Sequence, residues 1–221
     1  MDSITHPNIV ICSSKALVGL YTKMRNVDTP PAEFRFFARR AQRILAEEAI
    51  SELPSEQQDI QTPCGPHTGV KLINPLHKIC AVSIIRSGDA LVESVTEVLP
   101  GITVGKILIQ RNEESDTKEA QYFYSKMPPN VKDMDILLCD PMLATGGSAK
   151  TAIEVLVREY DVNINRIVFA NMICCPEGLQ AMEEAYPEVK IVTASVDDCL
   201  NEEKYIVPGL GDYGDRFFNT M

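Results

Sequence analysis

A chain of 221 residues, 45% hydrophobic and 24% charged, has room for one substantial domain with a packed core, not for two. Its formal net charge of −10, from 31 acidic against 21 basic residues, argues against a nucleic-acid or anionic-membrane partner held by the overall field. No apolar run reaches membrane-spanning length, and residues 1–7 lack the basic start and apolar stretch of a signal peptide, so the expected location is cytoplasmic. An anionic small molecule would have to be held locally, by a few arginines, helix N-termini and backbone amides.

In chain order, the first third reads as helical, over about residues 15–55. Phe34, Phe37, Ala38, Ala41, Ile44, Leu45 and Ala49 recur at helical spacing behind Thr29-Pro30-Pro31, a helix start. Arg35, Arg39 and Arg43 share another face at spacing four and read as a solvated stripe. From residue 79 the grammar changes. Ile79–Ile85, Thr103–Ile109, Met134–Cys139, Ile167–Ile173 and Val189–Ser195 are short runs rich in Val and Ile, with helical patterns at Ala90–Leu99, Ser148–Tyr160 and Glu177–Ala185. Apolar strands alternating with helices predict an α/β fold, a parallel sheet covered on both faces. Ligands of such sheets sit beyond the carboxyl ends of the strands. The exception is a polar, charged stretch, about residues 111–128, which holds Gln121-Tyr122-Phe123-Tyr124 and ends in Pro128-Pro129. It reads as a β-arm projecting from the sheet, a lid or a subunit contact.

The seven cysteines form no Cys-x-x-Cys pair, and the three histidines all precede residue 78, so no zinc constellation is expected. Cys80, Cys139 and Cys174 fall in predicted strands, where cysteine serves as a small hydrophobe.

Four segments at strand ends or near the C-terminus carry the chemistry. The strongest is Asp140-Pro141-Met142-Leu143-Ala144-Thr145-Gly146-Gly147-Ser148, between an apolar strand and a helix. Gly146 and Gly147 let the backbone approach a phosphate, Thr145 and Ser148 add hydroxyl donors, and the helix turns its positive end to the anion. Asp140 stands where a carboxylate accepts hydrogen bonds from sugar hydroxyls. The spacing and lysine of a Walker A loop are missing. A second segment, Tyr205-Ile206-Val207-Pro208-Gly209-Leu210-Gly211-Asp212-Tyr213-Gly214-Asp215-Arg216, contains Gly-x-Gly-x-x-Gly letter for letter. Only seven residues follow Gly214, too few for the helix, strand and acidic residue of a dinucleotide site. The others are Ile85-Arg86-Ser87-Gly88-Asp89, opening a helix, and Ile109-Gln110-Arg111, before the arm.

Together these segments resemble the type I phosphoribosyltransferases, in the form used by the uracil phosphoribosyltransferase family. A single acid, Asp140 after Cys139, is the uracil-enzyme pattern, where many relatives carry two. Leu20-Tyr21-Thr22-Lys23-Met24-Arg25 and Lys126-Met127-Pro128-Pro129 extend the resemblance to nearly the whole chain, and residues 62–75 are matched least. The resemblance implies transfer of 5-phosphoribosyl from 5-phosphoribosyl-1-pyrophosphate (PRPP) to N1 of uracil, giving UMP. It assigns PRPP to Arg86, Arg111, residues 140–148 and Asp212, with Arg86, Arg111 and Asp140 as the electrostatic catalytic set. It assigns uracil to Ile206, Gly211, Asp212 and Tyr213, read mainly through peptide groups. It also implies a strained peptide in the Arg86 loop, and Mg²⁺ held by PRPP and water, with Asp212 in its outer shell. A homodimer or homotetramer and activation by GTP are further implications, and no residue settles either. The alternative reading is a non-catalytic, nucleotide-sensing homologue of the same fold.

Overall fold

The apolar runs become the middle of a seven-stranded sheet because their residues are buried on both faces. In the computed structural model the structure describes residues 6–111 and 120–221, Arg111 by its backbone alone. The strands are β1 (Ile9–Ile11), β2 (Ser55–Thr62), β3 (Gly65–Leu72), β4 (Ile79–Ile85), β5 (Thr103–Arg111), β6 (Ala120–Lys126), β7 (Asp135–Cys139), β8 (Met142–Leu143), β9 (Ile167–Asn171), β10 (Ile173–Cys174), β11 (Lys190–Thr193), β12 (Cys199–Leu200) and β13 (Ile206–Val207). The helices are α1 (Ala16–Arg25), α2 (Pro31–Ser51), α3 (Gly88–Val98), α4 (Gly147–Arg158), α5 (Pro176–Ala185) and α6 (Tyr213–Phe218).

The main sheet runs β1-β11-β9-β7-β4-β5-β6, parallel except for the last pair. Side chains alternate across it, as the two-residue period of a strand requires. Ile79, Ala81, Leu137, Cys139, Val168 and Ala170 pack on one face against α1, α2 and α3. Cys80, Val82, Ile84, Ile136, Leu138 and Phe169 pack on the other, against α4 and α5. Burying each large aliphatic or aromatic side chain contributes about 1.5–3 kcal/mol, so these two layers dominate the fold's stability.

Several expectations need correction. The sheet is mixed, since β6 pairs antiparallel with β5. The β5–β6 hairpin therefore has its base in the sheet, from Lys106↔Lys126 to Leu108↔Tyr124. Only the pairs from Ile109↔Tyr122 to Arg111↔Ala120 run past Ile85, where β4 ends. The remainder of the predicted arm, residues 112–119, lies outside the described residues. The run Ile167–Ile173 breaks at Met172, because the Pro141 carbonyl accepts from the N–H groups of both Met172 and Ile173 and bends the chain into β10. Residues 55–72, read in part as helix or left unassigned, form an exposed antiparallel hairpin in register from Ser55↔Leu72 to Thr62↔Gly65. Arg39 and Arg43 are solvated as expected, but Arg35 is half-buried and its Nε donates to the Phe217 carbonyl at 2.9 Å.

Among the described residues no helix is long and apolar enough to cross a membrane. Cys80, Cys139 and Cys174 are buried as predicted, and burial pushes the Cys80 thiol up to about 11 and Cys174 up to about 12, so both stay neutral. Cys12 and Cys175 are also buried.

Candidate active site

The carboxyl ends of β4, β5 and β7 point into one cavity of about 810 Å³, roughly the size of small-molecule sites in general. All four chemistry-bearing segments reach it. Arg86 and Ser87 line it from the β4 end, Gln110 from the β5 end, Asp140, Met142, Leu143, Ala144, Gly146, Gly147 and Ser148 from the loop after β7, and Ile206, Gly211, Asp212, Tyr213 and Gly214 from the C-terminal loop. Pro141 and Thr145 stand beside the cavity and do not line it. Arg111 closes β5, where it is paired with Ala120; its side chain lies outside the described residues.

The phosphate-type loop is built from local pieces. Asp140 follows the fully buried β7 and is itself buried, its N–H donating to the Ala170 carbonyl at 3.3 Å. Gly146 caps α4 in the left-handed region, with φ +78. The first turn of α4 leaves its leading amides without intrahelical acceptors, and Gly147 and Ser148 place that turn in the cavity wall. An anion there meets the positive helix end. Burial of Ala149, Ala152, Ile153 and Leu156 against the sheet holds the helix still behind it.

The neighbouring loop is tied to this one directly. Ser87 donates through Oγ to Asp140 Oδ1 at 3.0 Å, a link the sequence did not single out. A Cβ on Gly88 would stand 2.3 Å from the Cys139 carbonyl oxygen, so α3 starts flush against the end of β7 only because residue 88 is glycine. The Ile85–Arg86 peptide is cis. Arg86 turns toward α6: its Nη2 donates to Asp215 Oδ1 at 2.6 Å and its Nη1 to Thr220 Oγ1 at 3.0 Å, with the Phe218 ring 5.6 Å away. The Arg86 hydrogen bond, aided by Thr220, holds the Asp215 carboxyl below its usual pKa.

The C-terminal loop is held from a distance. Tyr213 is buried, its hydroxyl accepting from Gln42 Nε2 at 2.6 Å, and Gln42 Oε1 accepts from Ser94 at 3.2 Å. The Tyr213 ring meets Phe34 and Phe217, and desolvation drives its phenol pKa well up. Only the backbone side of Tyr213 is left to face the cavity. Asp212 caps α6, its Oδ1 accepting from the Asp215 N–H at 2.8 Å. Arg216, also buried, donates to the carbonyls of Met24, Leu210 (2.6 Å) and Asn26 (2.8 Å) and lies 4.4 Å over the Phe34 ring. These anchors were missed because no local pattern marks a residue whose partner lies 190 positions away.

Among the described residues no group of three or more His, Cys, Asp or Glu side chains could hold a metal ion. The carboxylates in the cavity wall are Asp140 and Asp212. These two suit a hydrated cation carried in by phosphates better than one caged by protein ligands.

Comparison with known proteins agrees with the geometry. The family profile for uracil phosphoribosyltransferase matches residues 10–220. The chain is 43% identical to the uracil phosphoribosyltransferase of Saccharomyces cerevisiae over 220 residues, covering 99% of each. A solved structure from Aquifex aeolicus superposes with a TM-score of 0.80 at 32% identity, over 96% of this chain and 98% of that one. At the level of fold alone, an adenine phosphoribosyltransferase from Trypanosoma brucei superposes with a TM-score of 0.56 at 16% identity, over 93% of this chain and 89% of that one. The chain belongs to the uracil phosphoribosyltransferase family.

Proposed function

We propose that the chain transfers the 5-phosphoribosyl group of PRPP to N1 of uracil, giving UMP and pyrophosphate. The observation that carries this reading is the convergence of the phosphate-type loop, the Arg86 loop and the C-terminal loop on one cavity. A 5′-phosphate fits the amides of Gly146, Gly147 and Ser148. Asp140 accepts from the ribose hydroxyls, and the pyrophosphate falls to Arg86 and Arg111, as the resemblance implies. Uracil presents an alternating acceptor, donor, acceptor edge, which the peptide groups of Ile206, Gly211 and Tyr213 match without a charged side chain. Cytosine reverses part of that pattern and is disfavoured, since a site with buried groups left unpaired discriminates by roughly 10⁴-fold.

The reaction is a displacement at C1 of the ribose. The C1–O bond to pyrophosphate breaks with its electron pair leaving on oxygen, the N1 lone pair forms the C1–N bond, and the N1 proton passes to water. The protein contributes position, by fixing both reactants on rigid strand ends, and positive charge for the leaving group from Arg86 and Arg111. Mg²⁺ carried by PRPP and water would supply further neutralisation of the pyrophosphate, and Asp212 would stand in its outer shell. A cytoplasmic location, self-association and GTP activation belong to the same proposal, on the resemblance alone.

Purified protein incubated with PRPP, Mg²⁺ and labelled uracil is expected to form UMP, and to leave cytosine, orotate and hypoxanthine unconverted. Absence of UMP under every condition, with or without GTP, would sink the reading.

A further inference from the structure

The segment from Leu20 to Arg25 carries part of the family resemblance, and besides the Met24 carbonyl, which accepts from Arg216, it supplies a second link to the C-terminal loop. Its last residue, Arg25, ends α1 and reaches across to the segment after β11. There its guanidinium meets Asp197 in a bidentate pair, Nη1 to Oδ2 at 2.6 Å and Nη2 to Oδ1 at 2.6 Å. Asp197 is only 5% exposed. Its carboxylate also accepts from Ser195 Oγ at 3.1 Å, and its backbone N–H is fixed to the Cys174 carbonyl at 2.8 Å. The Tyr21 ring lies 5.3 Å from the Arg25 guanidinium, and the Tyr21 hydroxyl is anchored on the Met172 carbonyl.

Both polar groups of one residue in the C-terminal loop end on this pair. The Gly209 N–H donates to Asp197 Oδ2 at 2.7 Å, and the Gly209 carbonyl accepts from Arg25 Nη1 at 2.7 Å. Gly209 has φ +63, and a Cβ there would stand 2.0 Å from the Ile206 carbonyl oxygen, so this turn admits glycine alone. The turn separates Ile206 from Gly211, two of the residues whose peptide groups are assigned to the base. A rotation at Gly209 changes the spacing between those groups. With Asp197 buried and Arg25 half-buried, the pair is a weak source of net stability but a strong constraint on geometry, because removing Arg25 leaves a buried carboxylate unmatched.

We propose that Arg25 and Asp197 are the positioning residues of the base site: the pair sets the register of the peptide groups that read uracil, and through them base affinity and base discrimination. This rests on the assignment of uracil to the C-terminal loop. Neither residue touches substrate in this scheme, and the side chains of both bond to the C-terminal loop directly, whereas they reach residues 140–148 only through the backbone of Cys174, where β10 pairs with β8.

The test uses the full chain with Arg25→Gln, Asp197→Asn and the conservative Arg25→Lys, measured by steady-state kinetics in each substrate and by thermal unfolding. KM for uracil is expected to rise about tenfold or more in Arg25→Gln and Asp197→Asn, since a small misplacement of positioning groups has effects of up to a hundredfold. KM for PRPP should stay within about threefold, the signature of a lost contact confined to one substrate. The preference for uracil over cytosine should fall in the same variants, and Arg25→Lys should recover part of both. The double variant should be no worse than the poorer single one, as coupled partners require. A folded Arg25→Gln protein with unchanged KM for uracil overturns the proposal. So does an equal rise in both KM values, or failure of Arg25→Lys itself to fold, which would assign the pair to stability alone. Wild-type protein that makes no UMP overturns the uracil assignment together with this inference, whereas active wild type beside unaffected variants overturns this inference only.

Discussion

The two loops that close the cavity are held in place by opposite means. The loop at residues 140–148 is fixed mainly by regular backbone structure: a fully buried strand enters it, a helix with a buried face leaves it, and its turn bonds to the backbone of β9 and β10 beside it. The loop at residues 208–212 has only the two-residue strand β13 before it and the six-residue helix α6 after it. Its geometry is set by side chains from elsewhere: Arg25, Gln42 and Asp197, with Arg216 tying it back to the end of α1. On the proposed assignment, phosphate binding rests on a motif, whereas base binding rests also on anchors from α1 and α2. That difference suits the tasks, because helix dipoles and amides recognise any phosphate, but an edge of alternating donors and acceptors has to be met in register.

The comparison breaks most sharply at the phosphate end. Arg111→Ala is expected to lower turnover with PRPP about a hundredfold, roughly 3 kcal/mol of transition-state stabilisation, with KM for uracil and the circular dichroism spectrum unchanged. Kinetics like wild type in a folded variant would remove Arg111 from the mechanism. A change of this size on one substrate alone is what a locally built site should show.

At the base end, stability and binding should fall together. Arg216→Met removes a buried guanidinium that satisfies three backbone carbonyls and covers the Phe34 ring. Each hydrogen bond to a charged group is worth about 1.5–3 kcal/mol, and the losses are not additive, so a destabilisation of about 3 kcal/mol or more is expected in urea unfolding. KM for uracil should rise in the same variant, because the Leu210 carbonyl lies inside the loop. Unfolding at the wild-type midpoint would show that the loop does not depend on its distant anchor.

The same contrast explains what could be read from the sequence. Strands such as β4 were legible to the residue, because a continuous apolar run in a doubly covered sheet leaves no doubt about its burial. Residues 140–148 were legible because every type in the motif has a local job. Chain reversals and distant partnerships were not. The β2–β3 hairpin carries Ser, Glu, Gln and Asp where a buried strand would alternate apolar residues, and its partner strand is equally exposed. Arg25 and Arg35 sat at the end of one helix and on the surface stripe of another, and nothing in their spacing distinguished a clamp from a solvated charge. Asp215 stands within the C-terminal segment, but its pairing with Arg86 joins positions 129 apart.

That pairing is where the two ends of the site meet, and it sharpens the comparison with the smallest expected effect. Arg86, assigned to pyrophosphate, is held by Asp215 and Thr220 on the C-terminal segment, with about half of its side chain exposed. Pyrophosphate and Asp215 compete for one guanidinium, so Asp215→Asn should lower KM for PRPP. The gain is limited, because a solvent-exposed ion pair is worth at most about 1 kcal/mol, or roughly a fivefold change. The sign with pH follows from the depressed pKa of Asp215. A carboxylate whose pKa falls on folding keeps its contact in full above its unfolded value and loses it only as pH drops through the lower folded value. The ratio of KM for PRPP between wild type and Asp215→Asn should therefore be flat across the neutral range. A rise in KM for the variant would mean that Asp215 aims Arg86 at the pyrophosphate instead of competing for it, and the two ends of the cavity would then be built as one device.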